Sequence, residues 1–299
     1  MNDIEETIVT FPGGSSEEVA RIVAPPLSFA GKSVIVTDIS PFHPLDHIWP
    51  DQPADTGHIE IKGQHYRIYH SLVGAFHETQ KNRYFFDRAI NARRNDPGWV
   101  FFVGHVIEAA NAAFESGMRG ALCVDKTHRD QLSRAHSAAH LMSLALNKAL
   151  EGFWKKEVVN RDCFARPNFD ALAIQTSRID EEKSVDVYRI GKSMRKRGFD
   201  LERLKSERDG IANVISQTVN GWIEAQPTYD VLPPRSGLTE RRVWQCRLDE
   251  GTARIPCGGT HLIDSETGPV VISLRFDAEN TLCVTTHISS GLSAKSTPT

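Results

Sequence analysis

The chain changes character near residue 127, and this change constrains the fold more than any other feature. Before it, short runs rich in Val, Ile, Phe and Tyr, such as KSVIVTD and HIEIKGQHYRIYHSLV, are separated by Gly, Pro and Asp. Runs of this kind predict several short strands of a small barrel or sandwich. After it, two long helical segments are mixed with strand-like runs, which is typical of a two-layer α+β domain. We therefore expect an α+β protein with an N-terminal small β-barrel over residues 1–126 and a second domain over 127–299.

A polar segment interrupts the strand-rich half. Residues of about 78–98 read ETQKNRYFFDRAINARRNDPG, and this stretch is more polar than the runs around it. Its composition is compatible with a helix. We predict that it is an insertion carried on the barrel.

Two helices are predicted in the second half. THRDQLSRAHSAAHLMSLALNKALEG contains strong helix formers throughout, with Thr127 and Asp130 fitting a capping box and Gly152 fitting a stop. DLERLKSERDGIANVISQTVNGWIEAQP carries apolar residues at steps of three and four, and Pro227 ends it. These helices carry the motifs that follow.

Composition excludes several classes of function. The 299 residues are 40% hydrophobic and 24% charged, as in ordinary globular proteins, and the net charge is −3, so any RNA contact must come from a local basic patch. The acidic N-terminus lacks the apolar region of a signal peptide, and no apolar run is long enough to span a bilayer. Five cysteines, an odd number, indicate reduced thiols without disulfide partners. We expect a cytoplasmic protein that does not engage a membrane.

Two short motifs carry potential metal ligands. His136 and His140 stand four residues apart in HSAAH, a helical spacing that puts two imidazoles on one face, with Cβ atoms roughly 5–6 Å apart. Cys257 and His261 flank two glycines in CGGTH, whose backbone freedom lets one turn aim a thiolate and an imidazole at the same point. These are Zn²⁺ ligands. The alternative for each motif alone is a partly exposed His pair and a buried, apolar Cys.

The two motifs together resemble a known family. HSAAHLMSLAL and CGGTHL are similar to the paired HxxxH and CxxxH motifs of the alanyl-tRNA synthetase editing domain and of its free-standing relatives, the AlaX proteins. PFHPLDHIWPDQPADTGHI is similar to the family's barrel segment, which ends here in Gln52, Pro53, Asp55 and Gly57. The resemblance runs from about residue 30 to 288, with the blocks in the family's order. With no aminoacylation domain upstream, a free-standing, barrel-bearing AlaX protein is the closest description.

The resemblance implies an activity and a partner. Family members hydrolyse, without ATP, the ester that joins a wrong amino acid, chiefly serine or glycine, to the tRNA for alanine. The resemblance assigns Zn²⁺ as the bound metal and four residues as its ligands, namely His136, His140, Cys257 and His261. It also makes residues 127–299 the editing domain. No side chain is assigned as catalytic. A metal-activated water is the expected nucleophile, but four protein ligands favour a structural or substrate-orienting ion, and both roles stay open.

The amino-acid pocket departs from the family's pattern. The family has Thr or Ser before the second histidine, where this chain has Ala139, and its glycine-rich barrel loop is replaced by LDHIWPDQ. The family's Gln-x-Gly-Ser stretch after the first helix is replaced by FWKKEVVNRDCF. Substrate identity is therefore less constrained than reaction class. The residues that we expect to line the pocket are Trp49, Gln52, Asp55, Ser137, Ala139 and Thr260.

A basic run and two further functions complete the expectations. GKSMRKRGFD concentrates cations, of which Arg195, Lys196 and Arg197 are candidate contacts for tRNA phosphates; the alternative is a solvated face. The threonyl-tRNA synthetase editing domain shares the metal motifs but not the PADTG segment, so editing of seryl-tRNA for threonine ranks second. A zinc-dependent esterase or amidase for a small molecule, and an RNA-binding module with structural zinc, are the other classes.

Overall fold

A computed structural model of the chain describes residues 4–108, 114–263, 267–278 and 280–289. The α-helices are α1 (Lys126–Ala149), α2 (Phe169–Ala173), α3 (Lys192–Lys196) and α4 (Leu201–Glu224). The strands are β1 (Ile8–Val9), β2 (Glu17–Arg21), β3 (Leu27–Phe29), β4 (Lys32–Val36), β5 (Ile39–Ser40), β6 (Gly57–Ile61), β7 (Gln64–His77), β8 (Phe85–Phe86), β9 (Trp99–Ile107), β10 (Arg119–Val124), β11 (Ile174–Ile179), β12 (Lys183–Arg189), β13 (Tyr229–Leu232), β14 (Ser236–Gly237), β15 (Val243–Leu248), β16 (Gly251–Pro256), β17 (Val270–Ala278) and β18 (Thr281–Ile288).

The chain is a mixed α+β protein that divides into two compact units. The first comprises Met1–Ser133, Tyr229–Gln245 and Pro256–Ile263. The second comprises Arg134–Thr228, Cys246–Ile255 and Asp264–Thr299. The predicted domain boundary near residue 127 stays a prediction, because the division by contacts falls inside α1 and each unit is discontinuous in sequence. Within the described residues, no helix is long and apolar enough to cross a membrane.

The first unit is built on a large antiparallel sheet. Its strand order is β2-β10-β6-β7-β9-β4-β3, with β8 paired to β7. Alternation along β4 sends Ile35 to one apolar cluster and Val34 and Val36 to another, and all three side chains are buried. Strands that are buried on both faces explain the nearly continuous apolar runs of this half of the sequence.

The expected barrel is not closed in the described part of the chain. The terminal strands of the order, β2 and β3, do not pair with each other. Past the end of β2, an isolated bridge joins Ile22 to Thr37, and Val23 N donates to Val36 O over 3.0 Å. A barrel needs a continuous ladder around its circumference, and here one bridge stands in the place of a ladder.

The polar segment 78–98, whose composition is compatible with a helix, forms no α-helix. Residues 78–98 contain two single-turn 3₁₀ helices, Glu78–Gln80 and Asp87–Ala89, and the short strand β8, but no α-helix. The aromatic pair of β8 explains this, because Phe86 packs into an apolar cluster of the sheet and is buried. Burial of an aromatic strand residue overrode the weak local propensity.

The second unit contains a four-stranded antiparallel sheet in the order β11-β12-β18-β17. Helix α4 packs against β17, and polar groups fix the contact: Ser216 Oγ accepts from Ile272 N over 3.0 Å. Asn220 closes a second link, accepting from Val270 N at 2.8 Å and donating to Val270 O at 2.9 Å. Asp200 caps the start of α4 by accepting from Arg203 N. Helix α4 is therefore held against the edge strand β17 of this sheet.

Helix α1 begins two residues earlier than the capping box at Thr127 indicates. The predicted cap at Thr127 was wrong, since the helix starts at Lys126 and Asp125 accepts from His128 N over 3.2 Å. From Leu132 to Leu146 most of its residues are buried. A helix that is buried nearly all round is a central element of the fold, and its position fixes what its polar side chains face.

Candidate metal centre

Helix α1 positions the two histidines by its own geometry. His136 and His140 lie one turn apart, and their ring centroids are 4.9 Å apart. His136 is buried and His140 is half-buried. Burial lowers the pKa of His140 well below its usual value, and the neighbouring His136 lowers it further. The His140 ring is thus held neutral, which is the form in which an imidazole nitrogen binds a metal.

The Cys257–His261 segment supplies the other two donors. It follows β16 and contains no helix or strand. Cys257 N donates to Arg242 O over 3.1 Å, and the Cys257 Sγ atom lies 3.2 Å from His261 Nε2. The two glycines do not act as the sequence suggested, because neither Gly258 nor Gly259 has a positive φ. The segment turns through conformations open to other residues.

The four side chains of the two motifs converge. One potential ligand atom from each of His136, His140, Cys257 and His261 lies within 4.8 Å of all the others. Donors bound to one tetrahedral zinc would lie about 3.3–3.6 Å apart, given bonds of about 2.0–2.1 Å to nitrogen and 2.3 Å to sulfur. The separation of 3.2 Å between Sγ and Nε2 is close to that range. The group could hold a metal ion, and its N₃S donor set fits Zn²⁺.

The surroundings of Cys257 also fit a cation. Burial raises the pKa of the Cys257 thiol to about 12, and the Asp51 carboxylate acts in the same direction. Backbone N–H groups of Gly258 and Gly259 and the Arg242 guanidinium oppose the shift without cancelling it. A thiolate buried in this way needs a positive charge beside it, and a bound divalent ion supplies one.

The segment before β6 is hydrogen-bonded directly to the Cys257–His261 segment. Gln52 donates through Nε2 to Thr260 Oγ1 over 2.7 Å and accepts at Oε1 from Thr260 N over 3.0 Å. Ser133 of α1 donates to the same hydroxyl oxygen over 2.8 Å. Gln52 and Thr260 are both 1% exposed. Two bonds from one amide therefore fix the residue that precedes the ligand His261.

A buried ion pair ties the same segment to α1. Asp55 is fully buried, accepts from Arg129 through both carboxylate oxygens and accepts from His43 N over 2.5 Å. Arg129 also donates to Pro41 O over 2.7 Å. The carboxylate of Asp55, expected in the pocket, is thus an internal anchor for the helix that carries the histidines.

The remaining predicted residues occupy different environments. Trp49 is 42% exposed, and its backbone N–H donates to the Asp46 carboxylate. Ser137 is fully buried and Ala139 is 7% exposed. The candidate RNA contacts are all exposed; Arg195 and Lys196 belong to α3, and Arg197 follows it.

Three residues of the site were missed by sequence reasoning: Arg129, Ser133 and Arg242. For the first two a signal exists, because positions 129, 133, 136 and 140 follow the spacing of one helix face. An arginine on the face that carries the metal ligands indicates a buried carboxylate partner. Arg242 had no such signal, since it lies fifteen positions before Cys257 and its role depends on the path of β15 and β16.

Comparison with known proteins adds no assignment. No protein-family model matches the chain, and no curated protein matches it. The likeness to the AlaX proteins therefore rests on the motifs and their order, with the site geometry beside it.

Proposed function

We propose that this protein is a cytoplasmic aminoacyl-tRNA deacylase, which hydrolyses seryl or glycyl esters of the tRNA for alanine with the help of a bound Zn²⁺. One observation supports this most strongly. The HxxxH and CxxxH motifs, more than a hundred positions apart, converge on one group, and Gln52 of the barrel segment is bonded to Thr260 inside the second motif. The motif blocks that resemble the family thus meet in one site.

The proposed chemistry is ester hydrolysis. A divalent cation held by His136, His140, Cys257 and His261 would supply Lewis acidity toward the ester carbonyl or a bound water. The Thr260 hydroxyl oxygen accepts from both Gln52 and Ser133, so both of its lone pairs are occupied. These contacts, with the bond from Thr260 N to Gln52 Oε1, fix the residue next to His261 in position.

We propose weak selection between serine and alanine. Position 139 carries a methyl group where the family has a hydroxyl, and an unmatched polar group in a buried site costs about 1–3 kcal/mol. With fewer polar partners, the preference for seryl over alanyl esters is expected to be smaller than in relatives with the hydroxyl. Ala139→Thr should raise the ratio of the two single-turnover rates. An unchanged ratio, already as high as that of a hydroxyl-bearing relative, would place selectivity elsewhere.

A deacylation panel tests the function. Zinc-loaded protein is incubated with seryl-, glycyl- and alanyl-tRNA for alanine, with seryl-tRNA for threonine, and with serine ethyl ester. We expect rapid loss of the seryl and glycyl esters of the tRNA for alanine, abolished by His140→Ala. Preference for the threonine tRNA would indicate threonyl-type editing. Equal efficiency on the small ester would indicate a general esterase, and either result would overturn the proposal.

A further inference from the structure

A cationic surface of the second unit gathers residues from two separate stretches of sequence. We call it the basic surface and define it by Lys155, Lys156, Lys192, Arg195, Lys196 and Arg197. All six side chains are exposed. The two stretches are residues 154–157 and 191–200, and they contain only two carboxylates, Glu157 and Asp200. The whole chain carries a net charge of −3. This surface is therefore locally positive, although the net charge of the whole chain is negative.

Backbone contacts hold the two stretches side by side. Trp154 and Phe199 form an antiparallel bridge, and Lys155 N donates to Gly198 O over 2.9 Å. Gly198 has φ of +88°, and a Cβ there would lie 3.0 Å from Lys156 N, so this close approach requires glycine. The Lys156 ammonium donates to Lys196 O over 3.0 Å at the end of α3. The cations of the two stretches thus share one surface in the fold.

Buried groups beneath the surface fix its position. Met194 is 2% exposed and anchors α3 from below. Phe199 is 4% exposed and packs against Trp154 at 4.9 Å and Phe169 at 5.1 Å between ring centroids. A cationic surface on a rigid base loses less entropy on binding than a mobile tail does.

Four of the cations are electrostatically uncompensated. Lys155 forms an ion pair with Asp200 at 2.7 Å. Lys192, Arg195, Lys196 and Arg197 form no ion pair with any residue that the structure describes. Some other arginines of the chain are paired, among them Arg94 with Asp46 and Arg166 with Glu250. Four exposed cations on one surface, without ion-pair partners among the described residues, are available to neutralise the charges of a polyanion.

We propose that the basic surface binds the phosphate backbone of RNA. The choice of RNA as the polyanion rests on the proposed function. A membrane surface fits less well, because interfacial helices present an apolar face and the apolar residue of α3, Met194, points into the protein. Phosphate contacts position a nucleic acid without reading its sequence. The basic surface would therefore hold tRNA in a general orientation and leave recognition of the amino acid to the metal centre.

The test measures binding of an uncharged transcript of the tRNA for alanine at salt concentrations from about 50 to 200 mM. The variant Lys192→Gln/Arg195→Gln/Lys196→Gln/Arg197→Gln removes the four free cations. The matched control, Lys62→Gln/Lys81→Gln/Arg88→Gln/Arg119→Gln, removes four exposed cations of the first unit. We expect the surface variant to bind at least tenfold more weakly. The slope of log affinity against log salt should fall by about three, since each phosphate contact contributes about 0.7–0.9.

The single variant Arg197→Gln changes one exposed side chain and serves as a check in case the fourfold variant misfolds. It should lower the slope of log affinity against log salt by about 0.7–0.9. Equal losses in the surface variant and the control would overturn the proposal. So would binding of wild-type protein to phosphatidylserine vesicles but not to tRNA. Deacylation is measured separately. Slope changes without any deacylation would leave the basic surface standing and refute the proposed function; deacylation with unchanged KM and an unchanged slope would do the reverse.

Discussion

The two halves of the metal group are built in opposite ways. His136 and His140 are set by one turn of α1, so their spacing follows from local helix geometry alone. Cys257 and His261 lie at the two ends of a segment that contains no helix or strand. Thr260, the residue before His261, is held by Gln52, which is 208 positions away in sequence. The comparison teaches that the spacing of the two histidines needs only the helix, although the helix itself is anchored by the Arg129–Asp55 pair. The turn half depends on remote residues, and substitutions there should reveal it.

Removal of a ligand from the turn should have the largest effect. Cys257→Ala deletes the only sulfur donor of the group, and we expect near-stoichiometric zinc in the wild-type protein to fall to a small fraction. Elemental analysis of protein purified without added metal measures this. Cys163→Ala, at an exposed cysteine, is the control and should keep the metal. Full zinc content in Cys257→Ala would show that the turn half takes no part.

The anchor of the helical half should come next. Arg129→Met leaves the Asp55 carboxylate buried without its partner, and we expect a loss of about 3–5 kcal/mol in the free energy of unfolding. Lys126→Met on the same helix removes an exposed pair with Asp130 and should cost less than about 1 kcal/mol. Denaturant titration compares the two. The double variant Asp55→Leu/Arg129→Met should recover part of the loss, and equal losses in the two single variants would contradict this account of the anchor.

Substitution of Gln52, which holds the turn half through Thr260, should have an intermediate effect. Gln52→Leu removes both bonds to Thr260 and leaves a buried N–H without a partner, at a cost of about 1–3 kcal/mol in stability. Zinc affinity should fall about 10–100-fold, as for residues that orient metal ligands indirectly. Competition with a chelator gives the affinity. Gln64→Leu, at an exposed glutamine, is the control, and unchanged affinity in Gln52→Leu would mean that the turn holds itself.

The smallest effect is expected at a glycine of the turn. Gly258 has no positive φ, and a Cβ there meets no atom within 4 Å. Gly258→Ala should therefore change the free energy of unfolding by less than about 0.5 kcal/mol and leave zinc content intact. Thermal unfolding and elemental analysis check both values. A large loss would restore the role that the sequence gave to glycine flexibility.

The same contrast explains what the sequence predicted. The helical spacing of His136 and His140 requires only a 3.6-residue period, so the pair was predicted by position. The pairing of that motif with Cys257 and His261 was suggested by donor chemistry and assigned by the resemblance to the AlaX proteins, and the structure confirms that the four converge.

Long-range contacts were not predictable from local pattern. The bond between Gln52 and Thr260 joins residues 208 positions apart, and no periodicity reports it. The composition of segment 78–98 is compatible with a helix, but Phe86 packs into an apolar cluster of the sheet and the segment forms the strand β8 instead. Short strands separated by turn residues predicted a barrel or a sandwich, and the family resemblance favoured the barrel. Closure of a barrel depends on whether the ends of the sheet pair, which strand propensity does not encode.

The most direct test of the central claim is zinc K-edge X-ray absorption spectroscopy on protein as purified. If the helical half and the turn half hold one ion together, the spectrum should fit one sulfur at about 2.3 Å and nitrogen donors at about 2.0–2.1 Å. His136→Ala and Cys257→Ala should each abolish that signal. A spectrum with nitrogen and oxygen donors but no sulfur would contradict the account.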